Sequence, residues 1–89
     1  MEESDYDTLK KQGDDYFRNG DYANAVTKYE QILTFEKSIP NIYFNLALCN
    51  KRLGNWPNVE EFSNEAIRID DSYVKSYKLR GEARVELSK

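Results

Sequence analysis

The chain has 89 residues, of which 33% are charged and 13% aromatic, with 16 acidic against 13 basic side chains and a formal charge of −3. A chain this short supports one domain at most and buries too little surface for a deep enclosed active site. It has no histidine and a single cysteine, Cys49, which excludes the commonest general base and metal ligand, Ser-His and Cys-His nucleophile pairs, an internal disulfide and a thiolate zinc site.

The spacing of apolar residues predicts five helices. Ser4 as N-cap, with Asp7 three residues on, opens the first over about Tyr6 to Arg18, which carries Leu9, Tyr16 and Phe17. Asn19-Gly20 closes it as a left-handed C-terminal cap. Ala23, Ala25, Val26, Tyr29, Ile32, Leu33 and Phe35 recur at helical spacing and make the second, with Lys37 and Ser38 as its connection. Pro40 sits in the first turn of the third, where its missing N–H costs nothing. That helix carries Tyr43, Phe44, Leu46, Ala47 and Leu48 and stops at Leu53-Gly54. Pro57 pushes Trp56 out of the α region and so marks the start of the fourth, whose stripe is Val59, Phe62, Ala66, Ile67 and Ile69. Asp70 and Asp71 place acids at the start of the fifth, with Tyr73, Val74, Tyr77, Ala83, Val85 and Leu87 on it. Nothing reads as a strand, linker or low-complexity segment.

The chain also aligns with itself after a shift of 34 residues. Gly13 falls on Ala47 and then Gly81, Leu9 on Tyr43 and then Tyr77, Gly20 on Gly54, Tyr22 on Trp56, and Asn24 on Asn58. Small residues at one phase and large apolar ones at another are the mark of stacked helical hairpins, which cross closely where side chains are small. In this period and these residues the chain resembles the tetratricopeptide repeat family. The first unit offers Leu9, Gln12-Gly13, Tyr16, Gly20, Tyr22, Ala25, Tyr29 and Ile32. The second offers Tyr43, Leu46-Ala47, Asn50, Gly54, Trp56, Val59, Ser63 and Ala66, and the third Tyr77, Arg80-Gly81 and Ala83. Asn50 and Ser63 depart from the family's tyrosine and aromatic.

The resemblance implies an all-α fold, a helical-hairpin solenoid of five antiparallel helices. Residues 1–89 would then be one tetratricopeptide repeat domain, with repeats over about 6–39 and 40–73 and the first helix of a third over 74–88. It further implies a fragment of a longer protein, or self-association through the uncapped fifth helix.

The family's function is protein binding, without catalysis or cofactor. In its co-chaperones, a concave groove captures an extended peptide ending in Glu-Glu-Val-Asp, the C-terminus of a seventy- or ninety-kilodalton heat-shock protein, by charge-assisted hydrogen bonds to the carboxylate. Carried over position by position, that clamp falls on Lys10, Asp14, Asn45, Lys75 and Leu79. Lys10, Asn45 and Lys75 keep the family's residue types. Asp14 stands for an asparagine and repels a carboxylate, unless Lys10, four residues earlier on the same face, pairs with it. Leu79 stands for an arginine. Phe17, Arg18, Phe44 and Lys51 fall near groove-facing phases. From Lys37 to Val59 there are basic residues and no acid, so the third helix is basic in an acidic chain. Local field steers a charged peptide. The rival within the same fold is a scaffold that reads another protein without capturing its C-terminus.

The remaining features read as structure. Cys49 is a small buried hydrophobe, and Tyr16, Tyr29, Tyr43, Tyr77 and Trp56 are packing residues. The pairs Asp14-Asp15, Glu60-Glu61 and Asp70-Asp71 form solvated faces rather than a catalytic dyad. An acidic chain lacks the basic footprint of a nucleic-acid binder. Ile42 to Cys49, the longest mostly apolar stretch, is too short to span a bilayer. The acidic N-terminus is no secretory signal, and the expected location is cytoplasmic.

Overall fold

The computed structural model describes residues 5–89, which form five α-helices and, among the described residues, no strand. They are α1 (Tyr6–Arg18), α2 (Tyr22–Leu33), α3 (Pro40–Leu53), α4 (Trp56–Ile69) and α5 (Val74–Leu87). Two compact units divide the chain, one reaching to Lys37 and the other starting at Ser38. The fold is an all-α helical repeat. No helix among the described residues is long and apolar enough to cross a membrane.

The first unit is the hairpin α1–α2. The Asp5 carboxylate caps α1 by accepting the Thr8 N–H at 2.8 Å, while Ser4 of the expected capping pair lies outside the described residues. At the other end Gly20 takes φ +79°, and the Asp21 N–H reaches back to the Tyr16 carbonyl at 2.9 Å. That left-handed turn satisfies a carbonyl the helix leaves open. Asp21 then caps α2 through the Asn24 N–H. Leu9, Ala25, Tyr29 and Ile32 are buried. Gly13 is where the helices meet most closely: a Cβ built there would lie 2.6 Å from Cε1 of Tyr29. Phe35, expected on the stripe of α2, lies beyond its last residue and is half exposed.

The second unit holds α3, α4 and α5. Pro40 opens α3 at its first position, and Gly54 closes it at φ +78°, with the Asn55 N–H on the Asn50 carbonyl at 2.9 Å. α4 begins at Trp56 itself, with Asn55 as N-cap. The start at Trp56-Pro57 is as expected, and what is corrected is that Pro57 does not push Trp56 out of the α region, since Trp56 is the first residue of the helix. Pro57 occupies the first turn, where no N–H is needed, and the steric bias on its predecessor gives way to packing. Asp70 and Asp71 also fall differently. Asp70 ends α4 and accepts both the N–H and the hydroxyl of Ser72, at 3.0 and 2.6 Å. These bonds hold its carboxyl below the usual carboxylate range. α5 starts only at Val74 and has no acid in its first turn.

The core of this unit is Ala47, Val59, Leu79 and Ala83, with Phe44, Leu48, Trp56 and Phe62 packed against it. α5 buries Ser76, Leu79 and Ala83, while Val74, Tyr77 and Leu87 are exposed, as expected of an uncapped fifth helix, and Val85 with them. The hydroxyls of Ser63 and Ser76 are buried and meet no hydrogen-bond partner among the described residues. Such a group has lost water without replacement, so Ser76→Ala is expected to stabilise the chain by about 1 kcal/mol. A urea midpoint that moves up at unchanged slope is the expected readout; an unmoved or lower midpoint shows that the hydroxyl is satisfied.

Candidate functional site

α3 and α5 lie side by side in the second unit. Between them runs an open hollow lined by Phe44, Leu48 and Lys51 of α3 and by Lys75, Lys78, Leu79 and Glu82 of α5. The spacing explains the lining. Phe44, Leu48 and Lys51 stand four and three residues apart, as do Lys75, Leu79 and Glu82, so each set forms a row along one helix face. Phe44, Leu48 and Leu79 make an apolar floor, and the charged residues form the rim.

Phe44 is held from both sides. Its ring lies 5.8 Å from that of Tyr73, whose hydroxyl accepts a hydrogen bond from Nδ2 of Asn41 at 2.9 Å. Nζ of Lys75 sits 5.7 Å from its centroid, within cation–π range. Lys51 pairs with Glu82 at 2.9 Å, tying α3 to α5, so this expected contact residue is engaged. Lys75 and Lys78 are both exposed and have no carboxylate partner among the described residues. Asn45 is half-buried, with Nδ2 3.4 Å from Oδ1 of Asn41, a long bond that leaves donor capacity. Leu79 lines the hollow yet is only 5% exposed, so it belongs first to the core, not to a donor position.

In the first unit the expected Lys10–Asp14 pair is present at 2.8 Å. Asp14 also accepts the hydroxyl of buried Tyr29 at 2.5 Å. The lysine is thus neutralised by a carboxylate that is itself anchored to the hairpin's core. Phe17 packs edge-on against Tyr22 with centroids 5.2 Å apart, and Arg18 pairs with Asp15. Sequence reasoning missed Lys78 and Glu82. Lys78 is three residues from Lys75 and so on the same flank of the helix, a signal that testing only the five clamp positions passed over. Among the described residues, no group of three or more His, Cys, Asp or Glu side chains could hold a metal ion.

A family model described as TPR repeat matches residues 13–54. Over 87 residues the chain is 33% identical to the DnaJ homolog subfamily C member 7 homolog of Schizosaccharomyces pombe, covering 93% of the chain and 18% of that protein. It therefore spans less than a fifth of that relative. Among solved structures, the second TPR of Spaghetti (RPAP3) bound to the HSP90 peptide SRMEEVD superimposes with a TM-score of 0.88 at 26% identity, covering 91% of this chain and 75% of that one. The second TPR domain of human RPAP3 in complex with the HSP70 peptide SGPTIEEVD gives 0.86 at 26% identity, covering 90% and 67%.

Proposed function

The chain belongs to the tetratricopeptide repeat family, and from that premise we propose that it is a non-catalytic protein-interaction module whose α3–α5 face takes the acidic C-terminal end of an extended peptide. One observation carries the reading: Lys75 and Lys78 stand without acidic partners among the described residues, beside an apolar floor of Phe44, Leu48 and Leu79. The two peptides bound by the similar domains end in Glu-Glu-Val-Asp. That ending offers several carboxylates around one small apolar side chain, which is the chemistry this face complements. A heat-shock chaperone of the seventy- or ninety-kilodalton kind is the partner class, and a cytoplasmic location goes with it.

In the carried-over clamp, Lys10, Asn45 and Lys75 match and Asp14 and Leu79 do not. Asp14 holds Lys10, so the grip rests on Lys75, Lys78 and Asn45. Titration with SRMEEVD bearing a free or an amidated C-terminus tests this. Amidation is expected to cost about tenfold, the loss of one charge-assisted hydrogen bond. Asp14→Asn keeps an acceptor for the Tyr29 hydroxyl while removing the carboxylate that pairs with Lys10. Equal affinity for the two peptide forms removes carboxylate capture. It leaves the scaffold reading, which the Lys10–Asp14–Tyr29 network favours because it already satisfies that lysine.

A further inference from the structure

Three lysines line the α3–α5 hollow, and they are not equivalent. Lys75 and Lys78 have no carboxylate partner among the described residues, whereas Nζ of Lys51 stands 2.9 Å from Oε1 of Glu82, with the lysine side chain 35% exposed and the glutamate 33%. Phe44 meets Lys75 across the hollow, and Lys51 meets Glu82. Each pair joins residues 31 apart in sequence, so α3 and α5 run parallel here. Lys75 and Glu82 lie seven residues apart on α5, about 10 Å along the helix at 1.5 Å per residue. An extended peptide covers that distance in about three residues, at roughly 3.3 Å each. At the Lys75 end the hydrogen bond from Asn41 to Tyr73 spans the two helices at 2.9 Å, and the acids Asp70 and Asp71 lie in the turn before α5. A peptide whose terminal carboxylate is held at Lys75 therefore runs the other way, over Leu48 and Leu79. Its residue three before the last then arrives at the Lys51–Glu82 pair.

We propose that Glu82 determines the specificity of this face: its carboxylate occupies Lys51 where an acidic side chain three residues before the peptide's C-terminus would otherwise bind. The inference rests on the peptide reading of the α3–α5 face. An acidic side chain that arrives at this level finds Lys51 engaged. It must displace Glu82, which is then an unpaired carboxylate beside the newcomer, about two-thirds shielded from water. Like charges at that range repel, and a shielded charge that loses its partner is costly. A neutral side chain leaves the pair intact. The face thus reads carboxylates at the peptide's end through Lys75, Lys78 and Asn45, and withholds Lys51 from the residue three before it.

The test titrates SRMEEVD, and the same peptide with glutamine for its first glutamate, against wild type and Glu82→Gln. Wild type is expected to bind the two peptides within about twofold of each other. Glu82→Gln keeps the shape of the side chain and removes the charge that holds Lys51. It is expected to bind the glutamate peptide about tenfold more tightly than the glutamine one, the worth of one charge-assisted hydrogen bond. The exchange Lys51→Glu/Glu82→Lys keeps an ion pair between the helices with its lysine still engaged, so it is expected to treat the two peptides alike. Circular dichroism of both variants is expected to show unchanged helix content. The proposal is overturned by a wild type that already prefers the glutamate peptide, by a Glu82→Gln chain without that preference, or by an exchanged pair that prefers glutamate as strongly as Glu82→Gln. Each of these is read while amidating the peptide's C-terminus still weakens binding. Peptides that do not bind, or bind equally when amidated, overturn the peptide reading and this inference with it.

Discussion

Gly13→Val is expected to cost the fold about 3 kcal/mol, at the upper end of what overpacking a core removes. Even a single Cβ at this position would stand 2.6 Å from Cε1 and 2.9 Å from Cδ1 of Tyr29. The ring cannot swing aside cheaply. It is 1% exposed, and its hydroxyl is fastened to the Asp14 carboxylate at 2.5 Å. Relief must come from moving α1 off α2, which uncovers Leu9, Ala25 and Ile32, or from breaking the Tyr29–Asp14 bond. Gly81→Ala is the matched control. It sits at the same repeat phase in open space, so the gain in helix propensity is unopposed and stability is expected to rise by up to about 1 kcal/mol. Urea unfolding followed by circular dichroism checks both. Shifts of the same sign at the two positions defeat the argument that contact, not backbone conformation, decides the role of the glycine.

The same pair shows where sequence is informative. The 34-residue phase puts Gly13, Ala47 and Gly81 in register, but register alone does not say which of them is packed. Helix ends were readable where local chemistry decides them, as at Gly20, Gly54 and Pro40. They were misread where a side-chain turn decides, as at Asp70 with Ser72, and at Trp56 the boundary was read correctly but its backbone conformation was not. The uncovered apolar residues of α5, Val74, Tyr77 and Leu87, were legible as such, whereas its buried contacts through Ser76 and Leu79 were not, because one is polar and the other falls at a groove position of the repeat. Of the candidate site, the Lys10–Asp14 pair was legible because both ends lie on one helix turn. Lys51–Glu82 and Lys75 over Phe44 were not. Each joins residues 31 apart in sequence, and only the adjacency of α3 and α5 brings them together.

That adjacency makes Lys75→Glu/Lys78→Glu the decisive test of the proposed function, and the double substitution is expected to weaken binding of a peptide with a free C-terminus about a hundredfold. Two charge-assisted hydrogen bonds at roughly 1.5 kcal/mol each account for that loss, with each 1.4 kcal/mol worth a factor of ten. Replacing attraction by repulsion pushes it further. Folding is expected to survive, because both side chains are exposed and the specific interaction given up among the described residues is that of Lys75 with the Phe44 ring, worth about 0.5–1 kcal/mol at an exposed site. Ionic strength separates this grip from a purely apolar one. Exposed lysines are screened over about 8 Å at physiological salt, so wild-type affinity is expected to fall as salt rises while the doubly substituted chain loses that dependence. The Lys51–Glu82 pair supplies the internal comparison. It is about two-thirds buried at both ends and bridges α3 to α5, so it responds less to salt. Lys51→Gln therefore perturbs stability before it perturbs affinity. Binding that is indifferent to both the lysines and the salt belongs instead to the apolar floor of Phe44, Leu48 and Leu79, and a face that binds in that way is a scaffold surface that does not read a carboxylate.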